Sequence, residues 1–588
     1  MRPFGDAVAF TLVFVANVAA QAPAPAVFAL RPEFSRQIDS LYAPYTKPPT
    51  VGGVVVVIHR GQVIHLKGYG AAQREFGVPW TPDTRYRLAS ITKSLVATAV
   101  LRLEDQGKVR LTDPVRRYLP DLPDMGAPVT IDHLLTMSSG LWQDETLLAL
   151  AGLRGSLTVD EMYQLSTRQR RLNFPPGSSM AYTDTNYRIL ARVIAAVTGR
   201  SFWDAMQDLV FRPLGMTSSL ADPSLHHFYD NQAPTYLGGP DDPAPPLVNV
   251  PFHTSGDGSA ITTMRDFIHW LLELRRDHEK PGSLFERMTR PFNLGDGMPA
   301  GYRRGIAVFP HRGLIGWAHG GFTGTHYVFY PELDLIIANF TNQLGGLSPN
   351  SVDIAVTDLF LAAEGYPSGD VSRAMAQAEP ATGPVSAAET RLLSGVFVEP
   401  GAGYVFGSDP VAAGSRDQPF IRFDYLGTEV RVAKAAEGRF ATPALQRGAR
   451  LTIAPVPCGG CLLPDLDVRQ AGWPAPRRFR RVTTVPAVRA KDYVGVYHLA
   501  ALDAYYTVAE EPKGLVLRIA AGVQASQVLP LTALGPDLFW GSSMDGGQFD
   551  LYALGKVSIK FTRGPSGRVT GMRFTVDRVR DLELVKVR

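Results

Sequence analysis

Cysteine is almost missing from this chain, and the two that exist, Cys458 and Cys461, stand together in Pro457-Cys-Gly-Gly-Cys. Two thiols cannot complete a zinc site, and no thioredoxin-like strand and helix pattern surrounds them. In an exported protein the pair reads as a small disulfide across a turn. Charge of one sign is also scarce: a net +4 over 588 residues, with cations dispersed among acids, leaves no basic stripe for nucleic acid. Apolar runs long enough to cross a bilayer are lacking. The nearest, Ala7 to Ala16 behind Arg2 and ahead of Val18-Ala19-Ala20, is short and reads as a secretory signal with a cleavage site before Gln21, an uncleaved anchor being the alternative. No lipid-anchor cysteine follows it, so the expectation is a periplasmic or secreted protein with no stable membrane span. Neither Gly-x-Ser-x-Gly nor His-Glu-x-x-His occurs, which removes the commonest hydrolase signatures.

What is present is a globular composition, 45% hydrophobic and 19% charged. The length exceeds what one core can organise, so several domains are expected. Val51 to Ile58 and Gln62 to Gly70 are β-rich runs joined at Arg60-Gly61, a hairpin pattern. Tyr187 to Thr198 carries apolar residues at helical spacing and stops at Gly199. Leu220 to Gly258 is rich in proline and glycine and reads as part of the rim of a site. Strand-like segments follow at Gly305 to Phe309, Leu314 to Ala318, Tyr327 to Tyr330 and Leu335 to Phe340, and Ser351 to Ala363 reads as a closing helix. Strands at both ends with helices between them predict an α+β domain whose antiparallel sheet draws on both ends.

After Ser368 the character changes. A linker rich in Ala, Pro and Gly gives way to short alternating strands, such as Ile421 to Tyr425, Leu515 to Ile519 and Val557 to Phe561. Leu393-Ser394-Gly395-Val396-Phe397 is echoed by Tyr493-Val494-Gly495-Val496-Tyr497. The echo predicts two small antiparallel β-barrel domains of about a hundred residues each. The expected boundaries are a signal peptide over 1–20, the α+β domain over 30–366, a linker over 367–388, and barrels over 389–484 and 485–588.

The chemistry centres on Leu88-Ala89-Ser90-Ile91-Thr92-Lys93-Ser94. Leu95, Val96, Ala99, Val100 and Leu103 continue it as a buried helix, placing Ser90 in the first turn and Lys93 one turn on, on the same face. An amine so placed can take the hydroxyl proton, and the helix dipole and desolvation both favour a neutral Lys93. Two further motifs join it: Pro176-Gly177-Ser178-Ser179-Met180-Ala181-Tyr182-Thr183-Asp184, with a tyrosine on the turn before a helix, and Trp317-Ala318-His319-Gly320-Gly321-Phe322, a strand ending in residues small enough for substrate to lie along its backbone.

With Pro79 to Ser90 and the Leu134 to Leu141 run, these motifs resemble the serine β-lactamase and penicillin-recognising family, in the branch of class C enzymes, DD-peptidases, D-aminopeptidases and family VIII esterases. The likeness covers about Phe34 to Ala363. It implies a β-lactamase/transpeptidase-like catalytic domain with Ser90 as nucleophile, Lys93 as its proton-transfer partner, Tyr182 as general base or acid, and His319 as the first residue of the third motif. The backbone N–H groups of Ser90 and Phe322 would form the oxyanion hole, and Asp184, Gly320 and Gly321 would contact substrate. No cofactor or metal is implied.

Two departures from the family pattern bear on substrate. His319-Gly320-Gly321 stands where β-lactamases usually carry Lys-Thr-Gly, losing a permanent cation that would hold a substrate carboxylate. Asp184 stands where the second motif usually ends in Asn, which suggests a substrate with a free ammonium. The layout best resembles three-domain D-aminopeptidases, with the C-terminal β region packed on the catalytic domain and narrowing its cleft. The expected substrate is a small molecule or short peptide, peptidoglycan fragments among the candidates. The competing readings are a short-chain carboxylesterase, a weak β-lactamase, and a catalytically silent peptidoglycan-peptide binder.

Overall fold

The computed structural model describes residues 32–588 except 46–49, 152–156, 225–226, 238–244, 249–252, 296–299, 313, 345–348, 365–384, 400–404, 409–419, 424–427, 432, 436–437, 442–450, 458–462, 471–474, 483–486, 522–523, 543–555 and 577–578. The expected signal segment, most of the expected linker and the Cys458 and Cys461 pair lie outside the described residues.

Gly53–His59 and Gln62–Tyr69 form the expected hairpin. Arg60 and Gly61 turn it at φ of 52° and 75°, the left-handed geometry that matches the twist of the flanking strands. The hairpin joins strands from much later in the chain. The antiparallel order is Gln62–Tyr69, Gly53–His59, Leu335–Thr341, Thr325–Tyr330, Leu314–Gly321 and Ala307–His311. One sheet is therefore built from both ends of this part of the chain.

Because side chains alternate along a strand, Val54, Val56 and Ile58 face one layer while Val55 and Val57 face the other. The first set packs with Leu95, Val96, Ala99, Val100 and Leu103 of the helix Thr92–Asp105 and with Ile189 and Val193 of the helix Asp184–Thr198. The second set packs with Phe34 and Ile38 of the helix Pro32–Leu41 and Val356 and Phe360 of the helix Pro349–Ala363. A sheet covered on both faces explains the unbroken β-branched run Val54 to Ile58, all of it buried.

The two echoed segments fold alike. Each is a short helix, Ala387–Leu393 or Ala490–Tyr493, followed by a strand that opens at a glycine of positive φ, Gly395 at 120° and Gly495 at 155°. The second unit is a closed barrel of eight strands running in chain order from Gly495–Leu499 to Val579–Lys586, whose first and last strands pair through Tyr497 and Lys586. The first is a nine-stranded antiparallel sheet in the same cyclic order, its strands Gly395–Val398 and Arg477–Arg481 likewise paired. Its order stops short of a ring at Thr428–Arg431 and Ala433–Lys434, successive strands with no pairing among the described residues. The expectation of two barrels thus meets one closed barrel and one nine-stranded sheet in the same cyclic order, whose two end strands show no pairing among the described residues.

The closed barrel packs against the α+β part of the chain. Trp142, Met162, Leu165 and Leu147, Leu148 and Leu150 of the helix Asp144–Leu150 share one apolar cluster with barrel residues including Leu502, Tyr506 and Phe574. The Tyr506 hydroxyl donates to the Leu150 carbonyl at 2.7 Å, and Arg580 N–H donates to Asn173 Oδ1 at 3.0 Å. Among the described residues no helix is long and apolar enough to cross a membrane.

Candidate active site

The chain reaches Ser90 along the short strand Tyr86–Arg87, which pairs with Ala260–Thr262. Ala89 then adopts φ of 47°, a left-handed conformation unfavourable for a residue with a Cβ and of the kind that collects at functional sites. Ser90 lies on a 3₁₀ turn, Ala89–Ile91, just before the helix Thr92–Asp105, so Lys93 rather than Ser90 occupies the first α-helical turn.

The third motif is fastened to this turn from the other side. Thr323 Oγ1 donates to the Arg87 carbonyl at 2.7 Å, and Thr325 Oγ1 to the Leu88 carbonyl at 2.9 Å. The approach is so close that a Cβ on Gly321 would lie 2.2 Å from the Leu88 carbonyl oxygen and 2.2 Å from Thr325 Oγ1. Backbone cannot yield as a flexible side chain can, so Gly321→Ala is expected to destabilise the fold by about 3 kcal/mol. It should also push the third motif away from Ser90, and urea denaturation with turnover measurement checks both effects.

Lys93 is fully buried, and its Nζ donates to Ser90 Oγ at 3.0 Å and to the Asp257 carbonyl at 2.9 Å. Its third partner is Asp184 Oδ1 at 2.5 Å. Burial works against the charge, but Asp184, Tyr182 and Asp257 outweigh it and hold the ammonium well above its ordinary pKa. This corrects the expectation of a neutral lysine, because the carboxylate is a partner that the local sequence does not display. It also revises the part foreseen for Asp184, whose carboxylate engages Lys93 and, through Oδ2 at 3.1 Å, Gln143 Nε2. Gln143 grips the same residue twice, since Asp184 N–H donates to Gln143 Oε1 at 2.9 Å.

Behind this pair lies a second buried cation. Arg188, one turn along the Asp184 helix, contacts Asp144 at 3.0 Å, Glu145 at 2.6 Å and Asp257 at 3.1 Å. Four carboxyl groups thus surround two cations. Burial, then Asp144 and Asp184, push Glu145 well above the usual carboxylate range.

Tyr182 is half-buried, with Lys93 Nζ 5.0 Å from its ring centre. Its ring meets those of Tyr302 and His319 at 5.8 and 6.3 Å. His319 is buried with both ring nitrogens engaged: Nδ1 lies 2.8 Å from the Gly320 carbonyl and Nε2 3.0 Å from the Tyr302 hydroxyl. A carbonyl only accepts, so Nδ1 carries the proton and Nε2 accepts from Tyr302. Burial, reinforced by the Lys93 charge, lowers the His319 pKa to about 3. The third motif therefore presents no cation at working pH. Phe322, whose backbone N–H belongs to the expected oxyanion hole, is 42% exposed just beyond the strand Leu314–Gly321.

His319 shares its depressed pKa with His65, buried elsewhere and lowered to about 4. Both lie below the ordinary 6.5, so as pH falls through 6.5 the unfolded chain takes protons that the folded chain refuses. Stability should hold above that pH and decline toward pH 3 by a few kcal/mol, on the order expected for such shifts. His65→Gln and His319→Gln should each flatten the fall of the urea midpoint with pH; unchanged slopes would contradict the assignment.

Ser90, Lys93, Tyr182, Asp184 and His319 are thus brought together, with Gly320 and Gly321 at the end of the adjoining strand. Sequence reasoning missed Gln143, Arg188, Asp257 and Tyr302. The only available signal was the position of Gln143 two residues after the Ser139-Gly140-Leu141 run.

A family model described as Beta-lactamase matches residues 38–362. A D-aminopeptidase of Gluconobacter oxydans (strain 621H) is 31% identical over 275 residues, 46% of this chain and 51% of that protein. A D-aminopeptidase of Brucella ovis (strain ATCC 25840 / 63/290 / NCTC 10512) is 29% identical over 273 residues, 46% and 51% of the two chains. The chain spans about half the length of these curated relatives. Among solved structures, the octameric penicillin-binding protein homologue from Pyrococcus abyssi is 21% identical with a TM-score of 0.49, covering 76% of this chain and 99% of that one.

Proposed function

The chain belongs to the Beta-lactamase family, and from that premise we propose that it is a serine hydrolase that forms an acyl-enzyme on Ser90 and cleaves amide bonds of short peptides or amino acid amides. The observation that carries this is Ser90 Oγ held 3.0 Å from an ammonium whose charge is fixed by a carboxylate at 2.5 Å.

Lys93 already holds its proton, so it serves Ser90 as a donor that stabilises the developing alkoxide. The hydroxyl proton passes to Tyr182, which serves as base in its phenolate form, as Ser90 Oγ bonds to the substrate carbonyl carbon. Negative charge on the carbonyl oxygen gathers against the backbone N–H groups of Ser90 and Phe322. The C–N bond then breaks, the amine leaves with the proton returned from Tyr182, and water hydrolyses the ester by the same steps.

Substrate class follows from what the site does not offer. With His319 neutral and Lys93 committed to Asp184, neither side chain is a free cation for a carboxylate beside the scissile bond. This disfavours penicillins and carboxypeptidase substrates and favours amides, in keeping with the D-aminopeptidase relatives. Export of the chain and action on peptidoglycan fragments are parts of the same proposal.

A fluorophosphonate with intact-mass detection should add one adduct at Ser90. A panel of D- and L-amino acid anilides, p-nitrophenyl esters and a chromogenic cephalosporin should show anilides turned over best. Turnover of esters alone would replace this reading with a carboxylesterase, and no adduct in folded protein would leave the silent binder. Because its carboxylate faces Lys93, Asp184→Asn should alter turnover while leaving the ratio of free to N-acetylated amides unchanged.

A further inference from the structure

We propose that the closed C-terminal barrel is a positioning element of the Ser90 site, acting through Gln143. The inference rests on the hydrolase reading above and adds to it a part of the chain more than three hundred residues downstream of Gln143.

The segment 139–150 lies between barrel and site. On its inner side it is bonded to the first turn of the Asp184–Thr198 helix at successive points. Ser139 Oγ donates to Asn186 Oδ1 at 2.6 Å, Thr185 Oγ1 donates to the Trp142 carbonyl at 2.7 Å, and Asp144 N–H donates to Thr185 Oγ1 at 3.0 Å. Gln143 stands in the middle of this seam with both amide atoms on Asp184. Asp184 in turn meets Lys93 at 2.5 Å, and Lys93 meets Ser90 at 3.0 Å.

On its outer side the same segment belongs to the barrel. Trp142, directly before Gln143, and Leu147, Leu148 and Leu150, in the turn that follows the acidic pair Asp144-Glu145, are buried in the barrel's own apolar cluster. Tyr506 bonds the Leu150 carbonyl at 2.7 Å. A second hold comes from the other flank: Arg580 N–H donates to Asn173 Oδ1 at 3.0 Å, and Asn173 N–H donates to the Gly140 carbonyl at 2.7 Å. The barrel therefore fixes the residues on both sides of Gln143, and Gln143 sets where the Asp184 carboxylate sits. A carboxylate displaced by even an ångström would draw the ammonium with it and away from Ser90 Oγ, and displacements of that size lower rates on the order of a hundredfold.

The test uses the full chain, D-alanine p-nitroanilide as substrate and a fluorophosphonate as the Ser90 probe, all well below the melting temperature. Gln143→Leu should lower kcat on the order of a hundredfold with KM held within about twofold, because binding of substrate is not what it disturbs. Trp142→Ala and Tyr506→Phe, which touch the barrel side only, should lower kcat and the Ser90 labelling rate in the same direction by roughly three- to thirtyfold. Val356→Ala, in the apolar layer on the opposite face of the sheet, serves as the matched control: it should lower the melting temperature without moving kcat. If Trp142→Ala and Tyr506→Phe behave like Val356→Ala, the barrel stabilises and does not position, and the inference fails while the hydrolase reading stands. If the unaltered chain is not labelled at Ser90, the hydrolase reading fails and carries this inference with it.

Discussion

Ser90→Ala is expected to lower turnover by about a millionfold, the scale on which serine hydrolases lose activity when the nucleophile is removed. Thermal stability should not move. The side chain is half-exposed, and its oxygen is one of three acceptors around Lys93; the Asp257 carbonyl and the Asp184 carboxylate remain to compensate the buried ammonium. A residual rate should survive from the backbone donors and from binding alone. Anilide turnover, calorimetry and loss of the fluorophosphonate adduct measure the three consequences. Turnover retained with the adduct gone would place the reaction somewhere other than Ser90.

Lys93→Met should be costly in both currencies that matter here. Activity should fall about ten-thousandfold, since the donor to Ser90 Oγ disappears. Stability should fall by about 3–5 kcal/mol, because Asp184 and its acidic neighbours would face Arg188 alone, and removing one partner of a buried ion pair leaves the other uncompensated. The second substitution separates the two effects. Lys93→Met with Asp184→Asn should recover most of the lost stability and none of the lost activity, as read by urea denaturation and anilide turnover. A double variant as unstable as Lys93→Met alone would mean that Asp184 does not provide the opposing charge.

The parts of this protein that could be read from its sequence are those whose cause is local. The Arg60-Gly61 turn, the apolar spacing from Leu95 to Leu103, the Gly199 stop and the paired openings at Gly395 and Gly495 all follow from neighbours within a few residues. Ser90 and Lys93 belong to the same class, being one turn apart. The charge on Lys93 does not. Helix dipole and burial were legible and both argue for a neutral amine, but the deciding group, Asp184, arrives with a different helix. Gln143, Arg188 and Asp257 were invisible for the same reason, each meeting the site only after three separate segments pack. His319 was found as a residue but not as a neutral one, since its lowered pKa comes from burial and from the Lys93 charge, both of which arise only on folding. In the C-terminal half, alternation revealed strands; which edges join is settled by packing.

The pairing of first strand with last, in the closed ring and in the nine-stranded sheet alike, brings the two ends of each unit to within about one interstrand spacing, roughly 4.8 Å. A module of that kind is spliced into a host at a single point, as a bead hangs from one link. Tandem copying of such a bead adds a second without stretching the first, and breaking the ring at any hairpin tip while sealing its original ends would leave every neighbour in place, which makes the barrel a scaffold suited to circular permutation.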